Sequence, residues 1–210
     1  MTSIGVLSGD IVASRDIADK RKLRGAIDTG IERLGQTFDA VGTRFRGDAF
    51  QLAVPRIEDT IFAAVLMRAS LLEHSPSRRQ TWDARIAIGI GEGEVPAPDD
   101  FINADGEAFV RSGQGLDALG QGHQRLGLFL PSPQPDLNLL IQFADDIISH
   151  WSHNAAEVVR LSLTSDHSQS ELAKRLERSQ PTINRRLSAA RWSLIHAFLE
   201  FTRERLEAMK

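Results

Sequence analysis

Three prolines at alternate positions, Pro131, Pro133 and Pro135, interrupt the chain once and separate two stretches of different hydrophobic periodicity. Proline lacks an amide hydrogen and holds φ at about −65°, so neither a helix nor a central strand runs through such a segment. Upstream, apolar residues recur with period two in some runs and with helical spacing in others; downstream only the helical spacing remains. The expected organisation is an α+β domain over residues 1–130 followed by an all-helical domain over residues 136–210.

Within the first part, Ile4, Val6 and Leu7 read as a strand that runs into a polar loop at Ser8-Gly9-Asp10. From Asp16 to Phe38, Ile17, Leu23, Ala26, Ile27, Ile31 and Leu34 recur at three- and four-residue intervals, the pattern of an amphipathic helix. Residues 41–54 give two β-prone runs about Gly47-Asp48, a hairpin signal, and Pro55 closes the second. Residues 58–74 predict a second helix, which Pro76 ends. Ile86, Ile88 and Ile90 alternate as a strand, residues 106–119 can form a helix, and residues 125–130 a closing strand. The order β-α-β-β-α-β, then α-β, predicts a ferredoxin-like antiparallel sheet with helices packed on one face.

Composition removes several classes of chemistry. The 210-residue chain has no cysteine, so disulfides, thiolate zinc sites, iron–sulfur clusters and thiol nucleophiles are excluded, and any metal must be held by oxygen or imidazole. No apolar run approaches the roughly 18–20 residues that span a bilayer, and MTSIGVLSGD lacks the basic start and long apolar stretch of a signal peptide. A cytoplasmic protein without a membrane partner is expected. Residues 150–210 hold 10 of the 25 basic residues and only 7 of the 28 acidic ones, so this part is positive while the remainder is negative. Lys174, Arg175, Arg178, Arg185, Arg186 and Arg191 concentrate that charge, which makes a polyanion the partner to expect.

Asp10 follows the first strand and Asp48 sits at the hairpin tip, so a sheet with the first and third strands as neighbours brings both carboxylates to one end. Two carboxylates hold Mg²⁺ when a ligand adds phosphate oxygens. Aspartate beside glycine is also an ordinary turn pair, which leaves a purely structural role open. The segments SGDIVASR, RFRGDAFQL, ARIAIGIGEG and GEAFVRSG, in that order, resemble the SatD-like family and, more remotely, class III nucleotidyl cyclases and GGDEF-type synthases. The resemblance implies that Asp10 and Asp48 hold divalent ions on a nucleotide. It further implies that the main chain about Ile11, with Arg15 and Gly47, lies near the phosphates, and that Arg44 takes a base-recognising position.

Departures from that pattern bear on turnover. Where the cyclases carry an Asn and, four residues later, a transition-state Arg, this chain has Arg111 and Gly115, and a base-recognising Asp is replaced by Asn103. Loss of such a donor costs roughly 10²–10³ in rate, so binding without efficient turnover is expected. The glycines of GIGEGEV fit neither GxGxxG nor the Walker pattern and read as strand packing and a turn.

In the second part, residues 136–151 and 155–163 predict supporting helices. Ser168 to Glu171 has the form of a capping box, Leu172, Ala173 and Leu176 make one buried face, and Pro181 suits the first turn of a following helix. This segment resembles the helix-turn-helix of bacterial repressors and of the last helical region of sigma factors. Glu177 stands where such units often carry glycine. The resemblance places Ser179, Gln180, Thr182, Asn184, Arg185 and Arg186 against double-stranded DNA. The second helix is expected to run on to about Met209, with an apolar face that either forms a homodimer or folds back onto the first domain. His150 and His153 read as surface histidines.

The expectation is a DNA-binding transcriptional regulator whose cyclase-like domain binds a nucleotide or related signal, with Mg²⁺ as the ion the resemblance implies. A Mg²⁺-dependent nucleotidyl cyclase or nucleotidyltransferase tethered by its helix-turn-helix is the alternative, and a DNA-binding architectural module whose first domain only dimerises is a third.

Overall fold

The structure is a computed structural model that describes residues 2–45, 47–77 and 80–209. A five-stranded sheet in the order β2-β3-β1-β4-β5 forms its centre. β1 (Thr2–Ile11) and β4 (Ala84–Gly93) pair antiparallel over their whole length, from Thr2 opposite Gly93 to Ile11 opposite Ala84. β3 (Ala49–Val54) pairs with the other side of β1, and β2 (Val41–Arg44) forms the edge beyond it. β1 extends through Ser8-Gly9-Asp10, so Asp10 lies within the strand and not in a loop after it. The chain departs from the expected antiparallel sheet at β5 (Leu126–Phe129), which runs parallel to β4. A parallel neighbour requires a crossover, and α3 (Glu107–Gly120) supplies it.

That crossover also places helices on both faces, not one. α1 (Lys20–Phe38) and α2 (Thr60–Glu73) share an apolar cluster with Leu7, Leu52, Ile86 and Ile88 on one face. α3 covers the other, where Ile4, Val6 and Ala53 meet Ala108 and Phe109. Gly89 makes the close approach possible: a Cβ there would lie 2.4 Å from both the Ala108 carbonyl oxygen and the Ser112 amide. The first helix begins four residues later than its period suggests, because Asp19 caps it by accepting from the Lys22 amide.

α2 is buried along its length, from Thr60 to Leu72. Such a helix needs neighbours on all sides. They come from beyond the prolines: α4 (Pro135–Ser149), α5 (His153–Thr164) and α8 (Trp192–Glu207) contribute Ile141, Ile148, Val159, Ile195 and Leu199 to the same cluster. Residues 131–134 thus join two parts of the chain that share one core. Arg203 fastens α8 to the sheet side, with its guanidinium 3.9 Å from the Phe62 ring centroid and 3.0 Å from Asp59 Oδ1. Much of the apolar face of α8 is therefore spent within the chain.

α6 (Gln169–Arg175) and α7 (Gln180–Ala189) build a smaller cluster, in which Leu172, Ala173, Ile183 and Leu187 meet Val158 and Leu161 of α5. The long final helix expected from Pro181 is broken at Ala190-Arg191. Arg191 takes a left-handed φ of 54°, and the Trp151 indole donates to the Ala190 carbonyl at 3.0 Å, satisfying an acceptor the helix end leaves free.

A buried ionic network ties these layers together. Arg68, on α2, donates to both oxygens of Asp83 at 2.8 and 2.7 Å, to Asp145 of α4 at 2.5 Å and to Ser149 at 2.9 Å. Asp83 also accepts from Arg125 at 2.9 Å and from the Ala84 amide at 2.8 Å, while Asp145 accepts from the Arg125 amide at 2.7 Å. Burial pushes the Asp83 carboxyl up, but the Arg68 guanidinium and Arg125 outweigh it and hold the group below the usual carboxylate range. Burial likewise disfavours the Arg68 cation, and Asp83 and Asp145 outweigh that.

Removing one partner of such a network strands the others. Arg68→Met is expected to lower unfolding free energy by about 3–5 kcal/mol in urea titrations. Asp83 has a folded pKa below its unfolded one, so its contribution is complete above the ordinary carboxylate value and disappears as pH falls through the lower folded value. Acid titration of the wild type is expected to show that loss, and Asp83→Asn to remove it.

Candidate functional site

The hairpin end of the sheet carries the first group of candidate residues. Asp10 sits opposite Arg85 in the β1–β4 ladder and opposite Ala49 in the β1–β3 ladder. Arg85 takes both carboxylate oxygens in a fork, Nε to Oδ1 at 3.0 Å and Nη2 to Oδ2 at 2.9 Å. On the same face, Gln51 donates to the Ser8 hydroxyl at 2.8 Å, and Ser8 and Ser112 share a hydrogen bond of 2.8 Å. Asp48 lies in the turn just before Ala49, the residue paired with Asp10. There it lines a cavity of about 170 Å³ with Ser14, Lys20, Leu23, Arg24 and Gly47.

The structure brings only part of the expected nucleotide set together. Gly47 lines the Asp48 cavity, in a turn with a φ of 86° that favours glycine. Ile11 is 2% exposed and belongs to the core, so only its main chain could touch a ligand. Arg15 is exposed on a 3₁₀ turn over Ser14–Asp16. Arg44 does not line this cavity and pairs with Asp28 of α1 at 3.0 Å. Sequence reasoning missed Lys20 and Arg24; their four-residue spacing on the helix after SGDIVASR, which puts both on one face, was the available signal.

In this arrangement Arg85 takes both Asp10 oxygens, while Asp48 lines a cavity with Lys20 and Arg24. The two departures in α3 have structural reasons. Arg111 donates to the Ile90 carbonyl and pairs with Glu107 at 3.5 Å. At Gly115 a Cβ would stand 2.4 Å from the Phe129 ring, so the helix packs too closely on β5 for an arginine at that position. Asn103 donates to Asp100 at 2.7 Å.

The second group lies on α6 and α7. Ser168 accepts from the Glu171 amide at 3.3 Å, and Glu171 accepts from the Ser168 amide at 2.8 Å, a reciprocal cap. The Ser168 hydroxyl, donating to the carboxylate at 2.7 Å, and then the Ser168 amide hold the Glu171 carboxyl below its usual value. Four residues join the helices. Glu177 adopts φ 51° and the Arg178 amide donates back to Ala173 at 2.9 Å, which turns the chain sharply enough for α7 to cross α6 at the small Ala173. Ser179, Gln180, Asn184 and Arg185 are exposed at the start of α7, while Ile183 and Leu187 point inward. Thr182 is half-buried and shares a 2.9 Å hydrogen bond with Ser179. Arg186 is directed away from this face, to Glu157 of α5 at 2.7 Å. His150 is exposed, whereas His153 is half-buried and its Nδ1 is buried without a hydrogen-bond partner among the described residues.

No protein-family model matches the chain, and no curated protein does. Among solved structures it is similar to the active GGEEF domain of a diguanylate cyclase from Vibrio cholerae, with a TM-score of 0.44 and 14% sequence identity, over 63% of this chain and 85% of that one. No helix among the described residues is long and apolar enough to cross a membrane.

The left-handed Glu177 gives a direct test of the turn. Such a conformation costs an L-residue about 1–2 kcal/mol, more than the roughly 0.5–1 kcal/mol of backbone entropy that glycine gives up. Glu177→Gly is expected to raise thermal stability by about 0.5–1 kcal/mol; a lower melting temperature would show that the Glu177 side chain contributes more than its backbone costs.

Proposed function

We propose that this chain is a DNA-binding regulator: α6 and α7 form a helix-turn-helix whose second helix enters the major groove, and the ferredoxin-like, cyclase-like sheet region binds a nucleotide or related phosphorylated signal. The observation that carries the reading is the division of α7, with Ile183 and Leu187 buried and Gln180, Asn184 and Arg185 presented together to solvent. Amide and guanidinium side chains are the types that pair with base edges, and Ser179 and Thr182 suit phosphate oxygens. Exposed Lys174 and Arg178 extend the positive surface on the same side of the chain order.

The contacts on α7 divide the work between its two arginines. Arg185 has no ion pair among the described residues and is available to DNA, whereas Arg186 is held by Glu157 and fixes α7 on α5. This modifies the sequence expectation that both arginines touch DNA. The signal-binding half of the proposal rests on the cavity shared by Lys20, Arg24 and Asp48.

Titration of a mixed-sequence duplex at several salt concentrations tests the DNA half. Arg185→Ala is expected to weaken binding and to lower the slope of log affinity against log salt by about 1. Arg186→Ala is expected to reduce thermal stability while leaving that slope in place. Absence of salt-dependent binding to any duplex overturns the reading.

A further inference from the structure

Of the two carboxylates that the cyclase resemblance assigns to divalent ions, Asp10 is paired with an arginine and Asp48 lines a cavity that also holds two basic residues. Arg85 occupies both oxygens of Asp10 in a planar fork, the strongest arrangement available to a guanidinium and a carboxylate. Asp48 shares its cavity with the Lys20 ammonium and the Arg24 guanidinium. Basic side chains of the chain itself thus stand near both carboxylates.

The cavity beside Asp48 has the donors and the size for one anionic group. Its wall offers the Ser14 hydroxyl, Lys20 and Arg24, with Asp48 as the acidic side chain lining it. Lys20 lies folded onto the Ser14 carbonyl, and Arg24 is exposed with no ion pair among the described residues. At about 170 Å³ the cavity falls below the roughly 300 Å³ of pockets that enclose whole small ligands. It accommodates a phosphate while the rest of the molecule lies outside.

We propose that this cavity binds the terminal phosphate of a condensed phosphate, free or carried by a nucleotide, without a divalent metal, with Lys20 and Arg24 supplying the positive charge. The proposal deepens the signal-binding half of the function above and rests on that half alone. It reverses the metal dependence that the family resemblance implies. A divalent ion on the polyphosphate removes the negative charge that Lys20 and Arg24 attract, so it weakens binding. Asp48 repels the anion, so its neutralisation strengthens binding, whereas at a metal-bridged site the same change removes a ligand.

Calorimetric titration of the full chain with inorganic triphosphate and with ATP, each in EDTA and in excess Mg²⁺, separates these cases. In EDTA, single-site binding is expected, weakened on the order of tenfold by Mg²⁺ and on the order of tenfold in Lys20→Ala and in Arg24→Ala, and tightened several-fold in Asp48→Asn. ATP binding tighter than triphosphate assigns a nucleotide, and equal binding assigns the free condensed phosphate; both uphold the site. Circular dichroism establishes that each exposed-residue variant is folded. Binding that requires Mg²⁺ and disappears in Asp48→Asn overturns metal independence. No binding in either buffer, or binding indifferent to Lys20→Ala and Arg24→Ala, overturns the cavity as the site. None of these readouts depends on the Arg185 titration, so failure of the DNA reading and failure of this one remain distinct.

Discussion

The charge of Arg68 organises this protein. A guanidinium without solvent exposure requires partners that consume its donors, and here they come from the segment before β4 and from α4. Arg125 at the entry to β5 completes the set by bonding to the same two carboxylates. The pairing is costly to desolvate and costlier to break, so it confers geometry more than net stability. Once Asp83 and Asp145 are both committed to Arg68, the helices after the prolines have one place to dock, against α2.

That docking decides what α5 can do. Its inner side completes the burial of α2, and a second ionic link joins them: Glu73 of α2 receives Arg160 of α5 as well as Arg33 of α1. Its other side holds α6 and α7 through Val158, Leu161 and the Glu157–Arg186 pair. The helix proposed to read DNA is therefore mounted on an element that is itself part of the sheet's core. A ligand in the Lys20–Arg24 cavity would touch α1, which shares Glu73 with α5; this states adjacency, and coupling between the sites is a separate matter of free energy.

The legible and illegible parts of the fold differ in sequence range. The α1 period, the hairpin around Gly47-Asp48, the Ile86–Ile88–Ile90 alternation and the Ser168–Glu171 cap all appear in the structure close to where residue spacing put them. Each is a local pattern of hydrogen bonding or alternation. The parallel β5, the placement of α3 on the second face and the shared core across residues 131–134 depend on partners far along the chain, and no window of sequence contains them. Arg68 falls within an apolar helical stretch, and its partners Asp83 and Asp145 lie 15 and 77 positions away. Arg191 carries no local signal of a break, and the Trp151 indole that satisfies the neighbouring Ala190 carbonyl lies 39 positions earlier.

The candidate site divides in the same way. The residue types at Asp10, Asp48 and the start of α7 were visible in the sequence, as was the concentration of positive charge in the last part of the chain. Their partners were not. Cross-strand register set Arg85 against Asp10, the hairpin turn put Asp48 in one cavity with Lys20 and Arg24, and the packing of α5 drew Arg186 to Glu157. Sequence by itself determined which chemical groups the protein has and which local elements carry them, because propensity, period and capping act over a few residues. Only the tertiary structure decided which charges meet, because ion pairing depends on distances that strand register and helix docking create.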